Sequence, residues 1–114
     1  MDACTTGAAN AGFGTHALGS VTTGGDNSAL GYDSGGAITT GSNNLMLGKE
    51  AGGGSSPGGT ITTGSNNVVL GNNSISNLFC ADTTISSSDS RDKTDITDFT
   101  QGLSWINSFY LFII

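Results

Sequence analysis

Large apolar residues recur at one fixed place along the first two thirds of the chain. Phe13, Leu30, Leu47 and Leu70 each fall near the end of a motif, T-T-G-x-x-N-x-x-L/F-G, at Thr5–Gly14, Thr22–Gly31, Thr39–Gly48 and Thr62–Gly71. Successive copies start 17, 17 and 23 residues apart. A small residue follows the large one by four positions (Ala17, Ser34, Ala51, Ser74), the even spacing of one face of a strand. Val21, Ile38 and Ile61 stand just ahead of T-T-G and, with β-branched threonine, predict a second strand. Glycine and asparagine between these stretches supply the positive φ of tight corners. Each copy thus reads as one turn of a winding chain whose two short strands pair with the turns above and below. The extra six residues of the last interval lie in Gly52–Gly59, GGGSSPGG, where a surface turn is expected.

The fold expected over residues 1–85 is all-β, a trimeric β-helix or β-roll of stacked repeats of about 17 residues. Trimerisation enters through energetics. One Leu and one Val or Ile per turn contribute roughly 1.5–3 kcal/mol each when buried, whereas ordering the backbone costs about 1–2 kcal/mol per residue. A homotrimer with an axial apolar seam, lined by stacked Asn and Thr, supplies the missing burial. After Gly71 the alternation of Ile75, Leu78, Phe79 and Ile85 with polar residues predicts a last strand or two. Residues 86–114 form a second region, in which Phe99, Leu103, Ile106 and Tyr110 have helical spacing for one buried face.

Composition bounds the function. With 19 glycines and 35% apolar residues the chain is poor material for an ordinary core and would also suit a flexible linker. Four copies at a regular spacing argue instead for equivalent stacked environments. The net charge of −6 arises mostly before Ser86, where Asp2, Asp26, Asp33, Glu50 and Asp82 face Lys49 alone. Phosphate neutralisation needs clustered cations, so nucleic acid is not an expected partner. Cys4 and Cys80 are too far apart in sequence to suggest a framework disulfide or a metal pair. The start, MDACTTG, lacks the pattern of a secretory signal, and FYLFII is too short to span a bilayer. His16 has no partner in sequence and is expected on the surface or the seam, while Trp105 suits helix packing. Asp26, Asp33 and Glu50 recur near corners but lack the D-x-D spacing of a calcium loop. No metal and no cofactor is expected.

The repeats resemble the glycine-rich head repeats of trimeric bacterial adhesins and the shaft repeats of phage tail fibres. The stretch SSSDSRDKTDI, Ser86–Ile96, carries a more specific likeness. Ser88, Asp89, Arg91 and Lys93 are similar to the S-D-x-R-x-K opening of the intramolecular chaperone domain, also classed as peptidase S74, at the C-terminus of phage tail spikes and fibres. The continuation DITDFTQGLSWINSF matches that family's Asp-Ile, Gly-Leu and Ile-Asn pairs. The resemblance implies self-cleavage at the Ser88–Asp89 bond after assembly, with Ser88 as nucleophile and Lys93 as general base. A lysine can serve as base only when neutral, yet Asp89, Asp92, Asp95 and Asp98 crowd Lys93 in sequence and favour its charged form. Packing must separate them. The same residues would also suit a solvated turn capping a helix. The family's domain runs well beyond the 26 residues that follow Ser88, so a truncated chaperone region is expected, at most capable of a single autoproteolytic turnover.

The function these resemblances imply is a structural segment of a phage tail fibre involved in host attachment. Its partners would be itself as a homotrimer, other tail proteins and a host-surface receptor, with glycans among the candidates. It would reside in the virion after assembly in the host cytoplasm, without membrane insertion. The alternative is a head fragment of a trimeric bacterial surface adhesin. A self-cleaving transcription factor would need a basic DNA-binding region.

Overall fold

The computed structural model describes residues 6–86. The chain divides into two units, Met1–Leu78 and Phe79–Ile114, and all four repeats lie in the first. Each repeat contributes one strand of three residues: β1 (Ala11–Phe13), β2 (Ser28–Leu30), β3 (Leu45–Leu47) and β4 (Val68–Leu70). The strands form one parallel sheet in the order β1-β2-β3-β4. Register repeats without slip, so Phe13 lies beside Leu30, Leu30 beside Leu47 and Leu47 beside Leu70. Left-handed residues bracket every strand. Ala9, Asp26, Asn43 and Asn66, with φ of 58°, 59°, 56° and 66°, turn the chain in, and Gly14, Gly31, Gly48 and Gly71 turn it out. At the outgoing corner a side chain would collide: a Cβ on Gly31 would meet the Gly48 carbonyl carbon at 2.8 Å.

This architecture corrects the expected β-helix or β-roll with two strands per turn: one four-stranded parallel sheet forms, with no helix among the described residues. The run through T-T-G makes no strand. Thr22 N and Gly24 N both donate to Thr39 O, at 2.9 and 3.3 Å, and Thr39 N and Gly41 N share Thr62 O in the same way, at 2.8 and 3.4 Å. Two donors converging on one carbonyl bend the backbone and cannot propagate the alternating pattern of a ladder. The strand expected between Ile75 and Ile85 is also absent. There the chain turns, Ile75 N donating to Asn72 O (3.1 Å), and Leu78, Phe79 and Ile85 stay exposed. The helix expected around Phe99–Tyr110 lies outside the described residues.

Leu18, Val21, Ile38 and Met46 are fully enclosed and form the core with Ala17, Ala29, Ala51 and Val69; Ile61 packs against it. The central residues of β2, β3 and β4 (Ala29, Met46, Val69) therefore face inward and their neighbours outward. The expected shared face of Phe13, Leu30 and Leu47 with Ala17, Ser34 and Ala51 does not form. The large residues face out and the small ones are buried, because the glycine corner after each strand intervenes and four residues no longer span one strand face. Ser34 is accommodated by donating its hydroxyl to Met46 O at 2.9 Å.

The repeated asparagines complete the interior. Asn27 Nδ2 donates upward to Asn10 Oδ1 (3.1 Å) and downward to Gly41 O (2.9 Å). Asn44 Nδ2 repeats this with Asn27 Oδ1 (3.0 Å) and Gly64 O (2.9 Å), and Asn67 Nδ2 donates to Asn44 Oδ1 (2.9 Å). Each Oδ1 also receives a backbone N–H: Asn27 N reaches Asn10 Oδ1, Asn44 N reaches Asn27 Oδ1 and Asn67 N reaches Asn44 Oδ1, at 3.0, 3.1 and 3.0 Å.

The insertion is a loop with an anchored base. Its tip, Pro57 and Gly58, is exposed, as a surface turn requires, but Ser56 is buried. The Ser56 hydroxyl accepts from Gly52 N (3.1 Å), and Asn73 N reaches Ser55 O (2.7 Å). In the earlier pairs of repeats the matching donors, Gly35 N and Glu50 N, find Ala51 O and Tyr32 O. The loop thus supplies acceptors that in the preceding pair come from the facing repeat.

Replacing Asn44 by Ala removes two donated bonds and leaves two N–H groups of Asn67 short of an acceptor. The expected loss is about 3 kcal/mol or more in urea denaturation. Asn43→Gly, one residue away at an exposed left-handed position, should change stability by less than about 1 kcal/mol.

Candidate interaction surface

Because the sheet is parallel and in register, the outward residue at the end of every strand stacks into a column: Phe13, Leu30, Leu47, Leu70. Strand spacing makes it ~14 Å long. Phe13 is 79% exposed, Leu30 52% and Leu70 46%. Two positions earlier a second outward column runs Ala11, Ser28, Leu45, Val68, and Val68 is 67% exposed. Phe13, Leu30, Leu45 and Leu47 line an open depression of about 400 Å³ between the columns, and no charged residue borders it. A face this apolar on a thin stack can bury substantial area against another protein surface, and it has no ionic group to desolvate.

The second column was not singled out from the sequence. The signal was the alternation within the last two strands: Leu45 and Val68 precede Leu47 and Leu70 by two, which in extended chain means the same side.

On the other flank of β2–β4 the left-handed corner residues form a polar ladder. Asn43 Nδ2 donates to Asn66 Oδ1 at 2.8 Å, with Asp26 one repeat above, and these residues border a groove of about 330 Å³ with Ser28, Leu45 and Val68. His16 is exposed and meets Tyr32 edge to face, centroids 6.2 Å apart. Lys49 and Glu50 approach to 3.8 Å on the surface, a separation at which an ion pair adds little. Among the described residues, no three His, Cys, Asp or Glu side chains converge on a point that could hold a metal. In the second unit, Cys80 is an exposed free thiol that donates to Asp82 O (3.0 Å).

Ser88, Asp89 and Lys93, together with Cys4 and Trp105, lie outside the described residues. Comparisons with protein-family models, with curated proteins and with solved structures found no match to this chain.

Proposed function

We propose that this chain is a structural segment of a phage tail fibre that contributes to host attachment, assembled from three copies and followed by the opening of a self-cleaving chaperone domain. The observation that carries the reading is the unpaired apolar column Phe13–Leu30–Leu47–Leu70 on a stack of uniform register. A stack held internally by hydrogen bonds is a stiff element suited to transmitting load and presenting loops. Its exposed apolar face supplies the burial that its small core lacks, and three copies around a common axis cover three such faces at once. The polar corners and the Pro57–Gly58 tip of the inserted loop remain outward, available to other tail proteins and to a host-surface receptor. The likeness of Ser88–Lys93 to the chaperone opening supports placement in the virion after cytoplasmic assembly.

In this reading the chaperone region aligns three chains before the slow, non-local pairing of their repeats. Neutral Lys93 then takes the Ser88 hydroxyl proton as Oγ bonds to the carbonyl carbon of the Ser88–Asp89 peptide; the C–N bond breaks, Lys93 returns the proton to the departing Asp89 amine, and water hydrolyses the ester to leave a carboxylate on Ser88. Loss of the chaperone leaves the fibre separated from its unfolded state by a kinetic barrier.

Sedimentation of the chain at micromolar concentration should show a trimer that Leu47→Asp converts to monomer with unchanged circular dichroism, whereas Asp33→Asn leaves it intact. A stable monomer in the unsubstituted protein would sink the assembly reading.

A chimera supplying a complete chaperone domain after Phe109 should be cut after Ser88 and should stay whole with Ser88→Ala or Lys93→Ala, since nucleophile and base act as one unit. Intact mass decides this. Persistent cleavage in the Ser88→Ala chimera would refute the assigned nucleophile.

A further inference from the structure

The hydrogen-bond chains that run through the stack have a direction, and they end differently at its two ends. In the interior every Asn Oδ1 accepts from the asparagine of the next repeat. Among the described residues, Asn67 Oδ1 at the lower end has no such donor and Asn10 N at the upper end has no such acceptor. Strand edges follow the same rule. Ser28 N donates down to Asn44 O and Leu45 N down to Asn67 O, while Gly31 N donates up to Phe13 O and Gly48 N up to Leu30 O. By that alternation the Val68 N–H and the Leu70 carbonyl point down from β4, the lower sheet edge. The Asn10 carbonyl and Gly14 N–H point up from the top. Corner donors agree: Asn66 N reaches Ser42 O and Asn43 N reaches Gly25 O, which leaves Ala9 N–H as the matching donor of the top repeat. The upper end therefore offers what the lower end lacks, in the same arrangement as the three interior junctions.

One side chain stands in the way. A Cβ placed on Gly14 or Gly31 would run into the backbone of the next repeat, and on Gly48 it would press closely against it; on Gly71 it would run into the Ile75 side chain instead. Ile75 is set there by the turn in which Ile75 N donates to Asn72 O (3.1 Å) and Ser74 N to Asn72 Oδ1 (3.0 Å). It occupies the place where a fifth glycine corner would sit. Gly71 accordingly has φ 74°, below the 136°, 131° and 106° of its counterparts.

We propose that the lower end of the stack is a docking surface for the upper end of a second copy of this chain, and that Ile75 is the plug that keeps it closed. Docking would add a rung by strand pairing, with the second copy's Asn10 beneath Asn67. Such head-to-tail contact is heterologous and does not close on itself, so an unplugged stack grows into a filament. The plug holds the assembly to its own four repeats. This surface is separate from the apolar face and uses none of its residues except the backbone of β4.

The experiment compares the unsubstituted chain, Ile75→Gly and Ile75→Gly/Val68→Pro by sedimentation over a hundredfold range of concentration and by electron microscopy, each also carrying Leu47→Asp to remove association through the apolar face. Ile75→Gly should form linear assemblies that lengthen with concentration, while the unsubstituted chain does not. Val68→Pro removes an N–H that the stack itself does not use, at a lower-edge position where proline is tolerated, and should return the variant to finite size. Circular dichroism shows whether each variant keeps its sheet. Folded Ile75→Gly that sediments like the unsubstituted chain at every concentration would overturn the proposal, as would filaments that persist with Val68→Pro. Because Leu47→Asp is present throughout, neither outcome depends on the trimer reading.

Discussion

Two buried amides set the geometry of this protein. Asn27 and Asn44 are almost wholly enclosed, and each uses all four of its hydrogen-bonding positions: two donated by Nδ2, two accepted by Oδ1. A primary amide carries two donors and two acceptor lone pairs, so nothing is left over. An unsatisfied polar atom in this interior would cost about 1–3 kcal/mol. A slip of one residue toward the strand would replace the amide with Ala11, Ser28, Leu45 or Val68, none of which carries one, and leave several atoms unsatisfied together. Register is therefore fixed from within each repeat rather than by apolar packing, which is thin. Aspartate cannot substitute, since it has no N–H to donate, and glutamine would place its amide one methylene too far out.

The outward face follows from the same constraint. Once the Asn sits inside behind a left-handed residue, three residues remain before the next glycine corner. In extended chain the middle one must point in and the outer two out. Met46 and Val69 thus enter the core while Leu45, Leu47, Val68 and Leu70 face away. The apolar column is a consequence of where the amide ladder puts the strand. Its exposure in a single chain is the physical ground for expecting a partner, because a face with no charge and several aliphatic side chains gains most from leaving water.

The sequence made the repeat boundaries, the recurring Asn and the outlying insertion readable, since each is a matter of spacing. It misled on direction. The four-residue step from Leu30 to Ser34 looked like strand periodicity, but Gly31, with φ 131°, lies inside it and turns the chain. Likewise Thr22 and Thr39 have strand-forming side chains, yet their carbonyls and amides converge in a turn because Gly24 and Gly41 follow. Propensity registers threonine and is silent on which carbonyl a neighbouring glycine will seek. The role of Ser56 was hidden too: a serine among glycines reads as solvent-facing, and only the missing acceptor for Gly52 N makes it structural. The chemistry suggested by Ser88 and Lys93 lies outside the described residues, so it rests on sequence likeness alone.

The central claim is that the repeated asparagines are internal struts. Side-chain amide hydrogen exchange, followed residue by residue in a labelled sample, tests it directly. The Nδ2 protons of Asn27 and Asn44 should exchange as slowly as the backbone amide of Met46, whereas those of exposed Asn43 and Asn66 should exchange rapidly. If Asn27 and Asn44 exchanged as fast as Asn43, the amide ladder would not be what fixes this fold.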